Sequence, residues 1–249
     1  MKSEYDEFAT DYDWIFSDER LAEGPYYLAN LQPLLKKLPP QASILDSACG
    51  TGLVAQLLAR QGFRVTGTDA SAGMVAQARQ HAARAGLDIS FTTCPWQQLP
   101  DRLNQQFDMV LCCGNAIGHC RDEDDMLQSL RGIQDVLQPG GLFVVDTRNW
   151  EKLLAERKRF VTHGLRERHG KRCILLYVWT FPASPSEPLL AEVVFLFEED
   201  GQVSLRDYSV TYYPFRVEEL LERMRSAGFH DVETNYSPER DRYHVSARR

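Results

Sequence analysis

Short apolar runs alternate with stretches of helical spacing through the first 150 residues. Runs over 43–46, 63–68, 88–93, 107–113 and 142–146 predict five strands. Between them, helical spacing predicts helices over 26–38, 53–61, 72–85 and 122–137. The boundary residues agree. Pro39-Pro40 cannot continue the first helix, Gly62 and Gly86 close the second and third, and Ser71 is suited to cap the third. Acidic residues from Asp122 onward sit where the dipole of the fourth helix favours them, and Pro139-Gly140-Gly141 turns the chain into the fifth strand. Strands and helices alternating in this way imply parallel βαβ units, that is, an open α/β sheet with helices on both faces. Ligands bind such sheets beyond the carboxyl ends of the strands.

The pattern changes after residue 150. A helix over 150–159 leads into segments of strand character at 165–168, 173–181, 191–198 and 203–213, some separated by a Pro-rich turn at 182–188 and by Asp200-Gly201. Short turns between such segments imply antiparallel pairing. A helix over 217–228 and strands over 232–236 and 243–247 can rejoin the main sheet. The expected organisation is a parallel core formed by 1–159 and 214–249, with an antiparallel insertion, 160–213, placed to cover the active site.

Composition narrows the classes of partner. The 249 residues are 43% hydrophobic and 25% charged, as in an ordinary globular protein, and carry a formal charge of -7. An acidic surface repels phosphate backbones, so nucleic acid is not an expected partner, and Arg157-Lys158-Arg159 is too small a cluster to reverse that. The N-terminus shows no secretory apolar region and no run approaches the ~20 residues of a membrane span, so a cytoplasmic location without a membrane partner is expected. Six cysteines form no C-x-x-C pair, and Cys112, Cys113, His119 and Cys120 lack a tetrahedral ligand spacing, so no metal is expected.

Candidate chemistry gathers just after the predicted strands. Gly50-Thr51-Gly52-Leu53-Val54-Ala55 satisfies G-x-G-x-x-A, and Asp69 ends the next strand. Glycines let a ligand approach a helix N-terminus, and a carboxylate accepts ribose hydroxyls. The pattern alone does not separate a nicotinamide dinucleotide from another adenosine cofactor. Asp46, ahead of the glycines, does nothing for a pyrophosphate but can hold the ammonium of a methionyl group. Trp96, after the third strand, offers a face for adenine, and no second domain is evident that would place a hydride acceptor.

The segments Ile44–Gly52, Thr68–Ser71 and Leu137–Gly141, in this order and spacing, resemble the cofactor loop, ribose-binding turn and fifth-strand entry of class I methyltransferases. The segment from Tyr5 to Asp13 is similar to the N-terminal helix that many of these enzymes fold over the cofactor. That resemblance implies a Rossmann-like methyltransferase sheet and S-adenosyl-L-methionine as cofactor. It implies a candidate cofactor set of Asp46, Ala48, Gly50, Gly52, Asp69, Ala70, Met74, Pro95, Trp96 and Cys113, with Arg20 as the counterpart of an arginine gripping the methionyl carboxylate.

Gly114–His119, Asp146–Trp150 and Tyr212–Pro214 further resemble segments of glycine and glycine/sarcosine N-methyltransferases. The likeness implies that Asn115 contacts substrate, that Arg148 holds its carboxylate, and that a tyrosine of the Tyr212-Tyr213 pair lines the pocket. Strand alternation allows only one of the two to face inward. His119 is a candidate base, with a structural role the simpler reading. The chain departs from that family at Thr147, Trp150 and Pro95. The expectation is methylation of glycine, sarcosine or a related carboxylate-bearing amine. O- or N-methylation of another small metabolite is the alternative, a nicotinamide oxidoreductase or non-catalytic cofactor-binding regulator lies further off, and a homo-oligomer stays open.

Overall fold

In the computed structural model, residues 3–24, 26–184 and 187–249 are described. The first three helices are short and lie before the sheet: α1 (Tyr5–Phe8), α2 (Asp18–Glu23) and α3 (Tyr26–Leu35), with a 3-10 turn at Tyr12–Ile15. The core then runs β1 (Ser43–Asp46), α4 (Leu53–Arg60), β2 (Arg64–Asp69), α5 (Ala72–Arg84), β3 (Ser90–Thr93), α6 (Leu99–Arg102), β4 (Phe107–Cys112), α7 (Glu123–Asp135), β5 (Leu137–Arg148) and α8 (Trp150–Glu156). Next come β6 (Phe160–Arg168), β7 (Lys171–Thr180), β8 (Leu189–Glu199) and β9 (Gln202–Tyr212), before α9 (Val217–Ser226), β10 (His230–Thr234) and β11 (Arg242–Arg248) close the chain.

The main sheet has the order β10-β11-β5-β4-β1-β2-β3. Its first five strands are parallel, while β11 and β10 add antiparallel at the β5 edge. Strand order reverses between β1 and β4, and the crevice beyond that switch point is where such sheets take ligands. The central strands are buried on both faces. Leu45, Val110, Phe143 and Val145 pack into one apolar layer, and Ile44, Met109, Leu111 and Val144 into the other. Continuous apolar runs follow from that two-sided burial.

A second, four-stranded antiparallel sheet has the order β6-β7-β8-β9. It occupies the stretch where an antiparallel insertion is expected. Residues 185–186 of the Pro-rich turn lie outside the described residues. Pro139-Gly140-Gly141 differs from expectation: it lies within β5 rather than ahead of it. The β4–β5 register jumps from Phe107↔Leu137 to Met109↔Leu142, so the triplet is a bulge in a strand that begins earlier. Among the described residues, no helix is long and apolar enough to cross a membrane.

Candidate active site

The loop after β1 is held open by its own backbone. Gly52 adopts φ 83° as the N-cap of α4, and Gly50 adopts φ 52°. Asp69, at the end of β2, accepts the Gly50 N–H and the Ser71 N–H, each at 2.9 Å, so the loop and the start of α5 are tied to one carboxylate. Burial pushes Asp69 upward in pKa, against the opposing pull of those two donors. Gly52 is also constrained by packing. A Cβ there would lie 3.0 Å from the Ala78 Cβ and 3.2 Å from the Phe91 ring, and the residue does not line the main cavity.

Asp46 is buried, and its Oδ2 has no hydrogen-bond partner among the described residues. Burial first, and Asp69 second, push its pKa from 3.8 to about 7. A buried, unpartnered carboxylate oxygen is costly unless a cation or donor meets it. Asp46 borders a small cleft together with Tyr12, Ala48, Gly50, Cys113 and Gly114, and these five also border the main cavity, which Asp46 does not. The residues therefore fit a ligand that brings an ammonium to the end of β1.

The main cavity, about 410 Å³, opens beyond the ends of β1, β2 and β4. Ala48 and Gly50 come to it from the loop, Asp69, Ala70 and Met74 from the β2–α5 corner, Pro95 and Trp96 from beyond β3, and Cys113 from beyond β4. The Trp96 indole is fixed by its Nε1–H, which donates to the Ser47 carbonyl at 2.7 Å. Arg20 is placed elsewhere. It is exposed on α2, capped by Ser17, and borders a separate groove with Leu28, Leu57 and Gln61.

The N-terminal segment closes the cavity from above. Tyr5 and Tyr12 line it, and Asp6 accepts from the Ser71 hydroxyl at 2.7 Å and the Gly73 N–H at 3.0 Å. The Thr51 hydroxyl donates to Asp13 at 2.6 Å. The same segment is bound to the second sheet: Arg206 donates to both Asp11 oxygens at 2.9 Å, the Tyr208 hydroxyl donates to Asp11 at 2.7 Å, and Thr211 donates to Glu4. It is thus a strap joined to both sheets.

The acceptor-side residues divide. Tyr213 lines the cavity, while Tyr212 packs against His119, Trp150 and Trp179. Asn115 is buried with φ 77°, and its Oδ1 accepts from the Thr147 hydroxyl at 3.1 Å and the Arg148 N–H at 2.9 Å. Its carbonyl oxygen therefore fixes the end of β5 and does not face the cavity. The Arg148 guanidinium lies 5.3 Å from the centre of the Trp179 ring. The same ring stacks on Tyr177, centres 6.1 Å apart, and meets Tyr212 at 5.9 Å, so the three gather around one indole; burial raises the pKa of Tyr177 and Arg148 opposes that rise.

Tyr5 and Tyr12 belong to the segment expected to fold over the cofactor, whereas Tyr177 was not singled out in the sequence. Contacts across 38 to 114 positions, from Thr51–Asp13 to Tyr5–His119, bring the N-terminal pair here. His119 also lines the cavity. Its Nδ1 faces the Thr211 carbonyl at 2.8 Å, which assigns the proton to Nδ1 and leaves Nε2 to accept from the Tyr5 hydroxyl at 3.0 Å. Burial lowers the pKa of His119, which favours this neutral tautomer.

The sheet order, the crevice at its switch point and the cradle around Asp46 and Asp69 define a class I methyltransferase fold, and residues 44–141 match the family model described as a methyltransferase domain. The chain is an S-adenosylmethionine-dependent methyltransferase. It is 26% identical over 230 residues to a glycine/sarcosine N-methyltransferase of Aphanothece halophytica, covering 90% of this chain and 77% of that one. Among solved structures, an S-adenosylmethionine-dependent methyltransferase from Clostridium acetobutylicum superposes with a TM-score of 0.77 at 16% identity, covering 98% of each chain. A sugar N-methyltransferase from a Streptoalloteichus species gives 0.69 at 21% identity, covering 89% of this chain and 86% of that one. At these identities the structural likeness establishes the fold.

Proposed function

We propose that the chain N-methylates a small amine bearing a carboxylate, with glycine and sarcosine the first candidates. The observation that carries this reading is the placement of Arg148. It leaves the end of β5 with its backbone held by Asn115 and its guanidinium against Trp179, whose ring also meets Tyr177 and Tyr212. A guanidinium fork matches a carboxylate, and tyrosine hydroxyls can donate to the same group. The likeness to a glycine/sarcosine N-methyltransferase supports the same acceptor class. In this reading the second sheet is a lid whose inner face carries acceptor groups.

Asp46 and Asp69 would hold the cofactor's ammonium and ribose, and Trp96 would meet its adenine. When bound, S-adenosylmethionine supplies an electrophilic methyl on a sulfonium sulfur, and transfer to an amine leaves a neutral thioether. The chain's task is alignment. An amine that arrives deprotonated already has its lone pair, so a strong base is not required, and positioning supplies ~7–11 kcal/mol of a barrier in favourable systems. Arg148 with a tyrosine fixes the carboxylate end, and Asn115 acts through the β5 terminus as a positioning residue.

The test is a labelled-methyl assay over glycine, sarcosine, other amino acids and amino sugars, with products identified by mass. Methyl transfer to a carboxylate-bearing amine is expected. A charge-assisted hydrogen bond contributes ~1.5–3 kcal/mol, so Arg148→Ala should lower kcat/KM by roughly 10- to 150-fold. Wild-type kcat/KM in that variant, or transfer only to acceptors without a carboxylate, overturns the reading.

A further inference from the structure

The large apolar side chains exposed among the described residues are Phe160, Leu165, Ile174, Leu196, Val203 and Leu205, and all belong to the second sheet. Val203 is 72% exposed, Phe160 63% and Leu205 60%. They are not scattered. The ladder pairs Leu165 with Ile174, Ile174 with Leu196 and Leu196 with Leu205, so one apolar row crosses all four strands. The adjacent row carries Leu176 opposite Val194 at its centre. Alternation puts this face away from Cys173, Leu175, Val193, Phe195 and Phe197, which are buried against the strap. An antiparallel sheet with one wet face ordinarily alternates apolar inside with polar outside, and β7 and β8 do not.

We propose that this outer face is where two copies of the chain pair, about a two-fold axis passing between β7 and β8. An isologous contact lays a patch against itself, so the apolar residues must extend to both sides of the axis. They do: Leu165 and Ile174 lie on the β6–β7 side of that line, Leu196 and Leu205 on the β8–β9 side. The area suffices. Four strands spaced ~4.8 Å apart, with ten residues each at ~3.3 Å, present about 600 Å² per copy. The pair then covers about 1,200 Å², the lower bound of stable specific interfaces.

The charges on the face select the kind of partner. Glu167, Glu198, Glu192 and Asp207 surround the apolar rows, against Arg172 and, at the Phe160 corner, Arg159, whose guanidinium lies over that ring. Such a rim repels anionic lipid and nucleic acid, and its side chains can stay solvated around an apolar centre, as in protein–protein contacts.

Sedimentation of the whole protein at tens of micromolar should give twice the 28.5 kDa chain mass. The double variant Ile174→Glu/Leu196→Glu should give the single mass with unchanged near-UV circular dichroism and unchanged affinity for S-adenosylhomocysteine. A monomeric wild type, a double variant that remains dimeric, or a wild-type monomer that binds lipid vesicles overturns the proposal. Should the double variant fail to fold, Leu196→Cys decides. The six native cysteines are all buried, so an exposed thiol beside the axis should cross-link two copies under mild oxidation. Absence of that cross-link also overturns the pairing.

Discussion

Asp46 illustrates how one side chain links burial to ligand choice. Its carboxyl is raised from 3.8 to about 7, first by burial and then by Asp69. An acid raised in this way binds its proton more tightly in the folded chain than in the unfolded one. Between about pH 4 and pH 7 the folded state holds the extra proton, so this group's contribution to stability falls as pH rises through that window. A bound ammonium favours the carboxylate and reverses the balance. Affinity for S-adenosylhomocysteine should therefore rise with pH up to about 7 and then level, with a proton released on binding near pH 6. Titration calorimetry in buffers of different ionisation enthalpy measures that proton. Asp46→Asn should lose the pH dependence, and a flat wild-type profile would show that Asp46 does not meet the ammonium. Asp46 was legible because its position ahead of the glycines is a matter of sequence order. The position of Asn115 just after β4 was legible, but its engagement by Thr147 and Arg148 was not, because that depends on two strand ends meeting in space.

Among the elements, those with long apolar periods were legible and those without were not. The helices α4, α5 and α7 and the buried strands declare themselves through burial of a face or of both faces. The strap does not. The helix α1 has four residues, and the strap's purchase comes from long-range partners: Phe8 packs against Phe195 and Tyr208, and Asp11 pairs with Arg206 across 195 positions. Resemblance alone pointed to a helix over the cofactor, and no periodicity in so short a segment can supply its docking. Its contact with α5 depends on a glycine. A Cβ on Gly73 would come within 2.4 Å of the Asp6 carbonyl oxygen and 2.8 Å of its Cα, which are backbone atoms that cannot swing aside. Alanine is otherwise the better helix former by ~1 kcal/mol, so Gly73→Ala should help α5 while lifting α1 away. The expected outcome is roughly tenfold weaker binding of S-adenosylhomocysteine, a loss of ~1.4 kcal/mol, without a fall in helical circular dichroism. Unchanged affinity would mean that α1 does not close the cofactor site.

Across the whole molecule, the strap is a mechanical link between the sheet proposed to hold the cofactor and the sheet proposed to hold the acceptor. Its core end is tied through Asp6 to α5 and through Asp13 to Thr51. At its other end are Asp11 on Arg206 and Tyr208, and the carbonyls of Asp13, Ile15 and Phe16, which accept from Arg166 and Arg168. A ligand that touches only the core and the strap should therefore order the second sheet as well. Ligand at a hundred times its Kd stabilises the folded chain by ~2.7 kcal/mol, which for a chain of this size is a rise in Tm of about 5–10 °C. Hydrogen exchange should slow not only around β1 and β2 but also along β8 and β9. Arg206→Ala separates the two effects, because it removes a strap-to-sheet contact and leaves the cofactor cradle intact. The variant should keep most of the rise in Tm while losing the added protection on β8 and β9. Equal protection in variant and wild type would show that coupling between the sheets bypasses the Asp11–Arg206 contact.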